Sequence, residues 1–186
     1  LLAGGPLASA DPEGSLGEGV VDAAIQGEGE AVTVNLLERL ERNQDWRDLD
    51  GVAHWQDGKA VVNPIKTFID DPNALPAPAW DLLDVRAYSL LPRQGFIYKH
   101  RNYFPVFTSR GCPYRCIYCH DVFGKKFRPS STETVLSEIG ELVEEYGCKE
   151  IHFIDDIFNL EKNRAGEILQ GIVDNGWKLS ISYPNG

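Results

Sequence analysis

From Pro105 onward the chain alternates apolar runs with amphipathic segments in the order strand, loop, helix, strand, helix, strand, and few folds accept that order. Val106-Phe107, Ile151 to Ile154 and the segment through Leu179 and Ile181 are short and continuously apolar, as suits strands covered on both faces. Between the first two, Val135, Leu136, Ile139, Leu142, Val143 and Tyr146 recur along one helical stripe, with Ser130 and Glu133 able to form a capping box and Gly147 a left-handed stop. Between the last two, Ala165, Ile168, Leu169, Ile172 and Val173 share a face that ends at Gly176. Such alternation predicts a parallel sheet with right-handed crossovers, whose chemistry gathers in the loops after the strands.

Upstream, residues 1 to about 42 read as the tail of another α/β unit. An apolar start runs into Gly4-Gly5-Pro6, a strand is expected between Val20 and Ile25, and a helix carrying Leu36, Leu37 and Leu40 follows the GEGE turn. From about 43 to 100 the regularity fades into a connector, with Asp-Gly pairs at 50 to 51 and 57 to 58 and prolines at 72, 76 and 78. Its Trp46, Trp55 and Trp80 predict that the connector packs on something, since a free linker would be poorer in large apolar groups.

The segment TSRGCPYRCIYCH sets Cys112, Cys116 and Cys119 within eight residues, directly after a strand. Thiolates are the usual ligands of iron-sulfur clusters, and three of them on a cubane leave one iron open to a ligand that is not a protein thiolate. A zinc site would need four ligands or three and a water, usually in separated CxxC pairs, and no second pair exists here; His120 adjoins Cys119, and Cys148 lies beyond a helix. A disulfide would leave one of the three unpaired. Lys125, Lys126 and Arg128 form the only compact basic group and read as a solvated loop, the alternative being contact with an anionic substrate. Arg110 and Arg115 flank the cysteines, where positive charge would favour a reduced cluster, although solvated arginines explain them equally.

CxxxCxxC after a first strand, with Tyr118 just before the third cysteine, resembles the signature of the radical S-adenosylmethionine (SAM) superfamily. The resemblance implies a 4Fe-4S cluster held by Cys112, Cys116 and Cys119, with SAM chelating the open iron and being cleaved reductively to a 5'-deoxyadenosyl radical. It places Tyr118 against the adenine, the alternative being a core aromatic beside the cluster. IHFIDDIFN resembles the FxDDxF stretch that follows the second strand in family members with cobalamin or methylthiotransferase relatives. It gives Asp155 either a cofactor or substrate contact or the role of a cap on the next helix, with Asp156 the lesser candidate, while His152 inside the strand reads as a packed core residue.

Gly4 and Gly5 fit either a tight turn or close approach of a cofactor to the backbone. Joined in order to DGKAVVNP, LPAPAWDLLD and the cysteine loop, they resemble the end of the cobalamin-binding domain that precedes many radical SAM domains. The implied fold is α/β: residues 1–42 end a flavodoxin-like, Rossmann-type cobalamin domain, 43–100 connect, and 101–186 begin a partial, TIM-like β/α barrel. The family's DxHxxG cobalt-binding motif would precede Leu1 and the later barrel strands would follow Gly186, so the chain reads as a fragment. The implied activity is methyl transfer, cyclisation or rearrangement at an unactivated carbon of a small molecule, with a reducing donor such as flavodoxin or ferredoxin. The alternatives are a methylthiotransferase-like enzyme, for which the three extra cysteines of an auxiliary cluster are not seen, and a non-enzymatic iron-sulfur or zinc protein.

A net charge of -10 over 186 residues disfavours a nucleic-acid partner. No apolar run approaches the roughly 20 residues of a membrane span, so a cytoplasmic setting is expected.

Overall fold

The computed structural model describes residues 1–17, 19–90, 98–120 and 122–185. They fall into two compact units, Leu1–Asp70 with Tyr114–Lys125, and Asp71–Pro113 with Lys126–Gly186.

The first unit holds a four-stranded sheet of order β1 (Leu2–Ala3), β2 (Ala23–Ile25), β3 (Val52–Gln56) and β4 (Lys59–Val62). Helices α1 (Pro6–Ala10) and α2 (Pro12–Leu16) lead from β1 to β2, which pair in parallel as expected of an α/β tail. The strand foreseen from Val20 is shorter, because Val20 is exposed and only Ala23, Ala24 and Ile25 are paired and buried. Helix α3 (Gly29–Glu41) buries Leu36 against Ala23, Leu49 and Val52, whereas Leu37 and Leu40 stay about half exposed. Val32, one turn before Leu36, packs on the same cluster, and Leu37, 100° round the helix from Leu36, misses it.

The stretch that loses its pattern after residue 43 contains a hairpin that extends this sheet antiparallel to β2. Asp57 (φ 51) and Gly58 (φ 75) form its turn, both left-handed, as two-residue hairpins with right-handed strand twist require. Gly51 is also held left-handed, at φ 66, and a Cβ there would stand 3.2 Å from the Gln26 carbonyl. The tryptophans do pack. Trp46 meets His54 edge-on, and Trp55 covers the cluster of Ala8, Leu16, Ala24 and Ala53 while donating its indole N–H to the Gly17 carbonyl. In the other unit Trp80 stands edge-on to Phe104, and the short helix α4 (Val85–Leu90) follows.

The second unit carries a parallel sheet of order β5 (Tyr103–Val106), β8 (Glu150–Phe153) and β9 (Ser180–Ser182), crossed by α5 (Thr132–Glu144) and α6 (Lys162–Asp174); β6 (Ser109–Arg110) and β7 (Arg128–Pro129) pair apart from it. The helical stripes sit as their spacing predicts. Val135, Ile139, Leu142, Ile168 and Ile172 are buried with Phe104, Val106, Ile151 and Phe153 in one core, and Val173 lies exposed at the stripe's rim. Gly147 and Gly176 both take positive φ after the helix ends. Among the described residues no helix is long and apolar enough to cross a membrane.

The cap of α5 differs from the expected box. Ser131 is the N-cap and accepts from the Thr134 N–H at 3.2 Å, because Ser130 is already committed: its N–H donates to the Thr108 carbonyl, and its own carbonyl accepts from Arg164. Asn73 adds a second cap, its side-chain oxygen accepting from the Ser131 N–H and the Thr134 hydroxyl.

His152 is core, as read. Its Nε2 lies 2.8 Å from Glu150 Oε1, and its ring stacks on Tyr98 and packs on Tyr103. Glu150 also accepts the N–H groups of Lys99 and His100; burial raises its carboxyl, but the His152 contact and these two hydrogen bonds outweigh it and hold the carboxyl below the ordinary range.

Candidate active site at the cysteine loop

The chain leaves β5 at its carboxyl end and returns to α5 through β7, so residues 111 to 127 form an excursion with a closed base. Ser109 pairs with Pro129 and Arg110 with Arg128 in a two-residue antiparallel neck. One step further in, the Ser130 N–H donates to the Thr108 carbonyl at 2.9 Å. Gly111, at φ 78, turns the chain out of the neck towards Cys112. The cysteines thus stand where β/α folds place their chemistry, past a strand's carboxyl end.

Two charged side chains lock this neck. Asp155, 2% exposed just beyond β8, accepts through one oxygen, Oδ1, from the Thr108 N–H (3.1 Å), the Thr108 hydroxyl (2.8 Å) and the Ser109 hydroxyl. Arg164, in the first turn of α6, donates from Nε to the Ser130 carbonyl at 2.8 Å and from Nη2 to the Thr108 carbonyl. Burial pulls the Arg164 guanidinium below its ordinary value, and the nearby Asp155 and Glu161 carboxylates oppose that pull. Asp155 does not cap α6, whose N-cap is Glu161.

The basic trio is divided. Arg128 is buried in the neck, not solvated, while Lys126 is exposed and Lys125 half-buried. A buried guanidinium needs partners that a free loop would not supply.

Glu138 on α5 is the most perturbed carboxyl near the neck. Burial pushes it up to about 7, with Glu141 and Asp155 adding like-charge repulsion. The folded protein therefore keeps a proton there that the unfolded chain releases near the ordinary value of 4.5. Glu138's contribution to stability therefore falls as pH rises from about 4.5 to about 7, since it keeps its proton in the native state through that window. The full-length Glu138→Gln protein should melt together with wild type at pH 4 and above it at pH 8; a melting gap that does not widen between those pH values would show that the carboxyl titrates normally.

All three loop cysteines are free thiols, Cys112 half-buried and Cys116 and Cys119 exposed. A turn joins the last two, the Cys119 N–H donating to the Cys116 carbonyl at 3.1 Å. Cys112 belongs to the second compact unit and Cys116 and Cys119 to the first. Among the described residues no three His, Cys, Asp or Glu side chains converge as a metal site requires. In donor chemistry the loop fits a thiolate-bound cluster; the side chains are not drawn together round one.

Tyr118 is 89% exposed, so it is not a core aromatic here, and its hydrogen bond with Cys116 and the cysteine charges hold its phenol above the ordinary value. Gly5 follows β1 at φ 92, and space is open over both Gly4 and Gly5. Gly27, by contrast, is crowded, at φ 69 with a Cβ position 3.0 Å from Ile65.

No family model matches the chain. An uncharacterised methyltransferase of Pyrococcus horikoshii is 34% identical over 97% of this chain and 38% of its own length. The anaerobic magnesium-protoporphyrin IX monomethyl ester cyclase of Rubrivivax gelatinosus is 30% identical over 68% of this chain and 22% of its own. Among solved structures, the radical SAM methyltransferase TsrM of Kitasatospora setae, with cobalamin and a 4Fe-4S cluster bound, superposes with a TM-score of 0.66 at 22% identity, over 94% of this chain and 34% of that one. The chain is thus similar to part of a curated methyltransferase and of a cyclase, and it shares its fold with that cobalamin- and cluster-bound structure. It spans well under half the length of the curated relatives named here.

Reading the sequence singles out the cysteines, but it passes over Thr108, Ser109 and Arg164 and takes Ser130 for a helix cap. Hydroxyl residues ahead of the loop carry no motif, and Arg164 sits in a helical first turn where an arginine attracts no notice. The usable signal is weak: a basic residue among Lys162, Asn163 and Arg164, beside an otherwise apolar face, is a candidate to reach inward.

Proposed function

We propose that this chain carries the cluster-binding loop of a SAM-cleaving enzyme that also binds cobalamin, with Cys112, Cys116 and Cys119 as the three thiolate ligands of a 4Fe-4S cluster. The observation that carries the reading is that three free cysteines occupy one excursion past the carboxyl end of the first parallel strand, closed at its base by a hydrogen-bonded neck. A cluster bound there would supply the electron for reductive cleavage of SAM, and bound cobalamin would supply a methyl carrier.

The chain's own residues then have separable tasks. The cysteines would hold the cluster, and Tyr118, exposed between Cys116 and Cys119, would offer an aromatic face to the SAM adenine. Gly4 and Gly5 leave the backbone after β1 open to the cobalamin. In this reading residues 1–42 end the cobalamin domain, 43–100 connect, and 101–186 begin the radical SAM domain. The reaction is methyl transfer, cyclisation or rearrangement at an unactivated carbon of a small molecule in a reducing, cytoplasmic compartment, with flavodoxin or ferredoxin as donor.

The test is anaerobic reconstitution of the full-length protein. It should take up about four iron atoms per chain, give a dithionite-reduced electron paramagnetic resonance (EPR) signal that changes on adding SAM, and release 5'-deoxyadenosine. Stoichiometric zinc without iron, or a cluster signal indifferent to SAM, would end the proposal.

A further inference from the structure

We infer that Asp155 and Arg164 are positioning residues that hold the neck of the cysteine loop and thereby fix where Cys112 leaves the parallel sheet. The inference rests on the reading of Cys112 as a cluster ligand.

Thr108 is gripped from both sides. Its N–H and hydroxyl go to Asp155 Oδ1, and its carbonyl accepts from Arg164 and from the Ser130 N–H. Ser130, on the returning strand, gives its carbonyl to the same guanidinium. One planar fork therefore spans both strands of the neck, and one carboxylate oxygen gathers three donors from the outgoing strand. Only Arg110 and Gly111 separate Ser109 from Cys112, so a shift of the neck passes directly to the first thiol. Asp155 stands at the end of β8 and Arg164 in α6, which ties the loop to two elements of the sheet and its crossover.

The burial pattern separates this role from direct contact with a cofactor. Asp155 is sealed beneath Thr108 and Ser109, and its side chain accepts from them through Oδ1, while Oδ2 is buried and makes no hydrogen bond. An asparagine whose carbonyl takes the place of Oδ1 can accept all three bonds. A group needed for its charge would not survive that change. Arg164 is different, because lysine offers no rigid fork to reach two carbonyls at once.

The experiment is hydrogen exchange on the metal-free full-length protein, with alkylation rates of Cys112, Cys116 and Cys119, followed by reconstitution. In Asp155→Ala the amides of 108 to 110 and 128 to 131 should exchange about tenfold faster, as expected when buried hydrogen bonds open locally. Alkylation of Cys112 should quicken while that of Cys116 and Cys119 keeps its rate. Asp155→Asn should stay within about threefold of wild type in exchange and keep its iron and EPR signal, with Arg164→Lys resembling Arg164→Ala. Asparagine as damaging as alanine, or neck exchange indifferent to alanine, would overturn the inference. Should Asp155→Ala fail to fold, Thr108→Val removes one of the three bonds, and unchanged exchange in that variant would overturn it too. A wild-type protein that takes up no iron would end the cluster reading and this inference together. Iron-replete protein with an indifferent neck would end this inference alone.

Discussion

Replacing Cys116 by alanine should remove the iron, the reduced EPR signal and the 5'-deoxyadenosine together, and leave the fold standing. Three thiolates are the minimum that grips a cubane and keeps one iron open, so losing one costs the cluster rather than a fraction of its activity. The side chain itself is exposed and bears no packing, so unfolding should move by no more than about 0.5 kcal/mol, the range for surface substitutions. Cys148 is the internal control. It is buried, its S–H donates to the Glu150 carbonyl at 3.3 Å, and burial pushes its thiol up to about 11, so it is no thiolate near neutral pH. Cys148→Ala should keep the iron and cost roughly 1 kcal/mol of stability, the centre of the range for point substitutions. Product formation surviving in the Cys116 variant, or iron lost in the Cys148 variant, would reverse the assignment of ligands.

Phe153→Ala should destabilise the protein by about 3–5 kcal/mol, measured by urea unfolding of the full-length metal-free chain. The ring is buried at the end of β8, stacked on Phe158 at 4.5 Å and 18° and lying 5.6 Å from Tyr183. Truncation removes the transfer energy of a large side chain and leaves a cavity beneath rings that cannot all collapse into it, beyond the roughly 0.5–1.5 kcal/mol that aromatic pairs add to area burial. Against a usual total of about 5–15 kcal/mol, that loss is severe. A cost below about 1 kcal/mol would mean that the ring lies outside the core, because surface changes rarely exceed half of that. The same strand end presents Asp155 two residues later, so the variant should also loosen the neck of the cysteine loop.

Much of this was legible in the residues alone. The stripe from Val135 to Tyr146 packs as its spacing requires, Gly147 and Gly176 stop their helices, and the alternation after Pro105 becomes a parallel sheet with helical crossovers. Those features are local, set by a period of 3.6 or by the left-handed backbone that glycine permits. The hairpin of β3 and β4 was visible only as an Asp-Gly turn, because its partner β2 lies far upstream. Ser131 rather than Ser130 caps α5, since the bonds that occupy Ser130 come from Thr108 and Arg164.

By itself, then, the sequence determined which elements form after Pro105 and which loop carries the thiols, because periodicity, glycine conformation and cysteine spacing act over a few residues. Only the tertiary structure decided that Asp155 faces Thr108 and Ser109, that Arg164 spans the neck, and that Arg128 is buried. Each depends on groups far apart in the chain meeting within hydrogen-bond reach, and no short-range pattern encodes such a meeting.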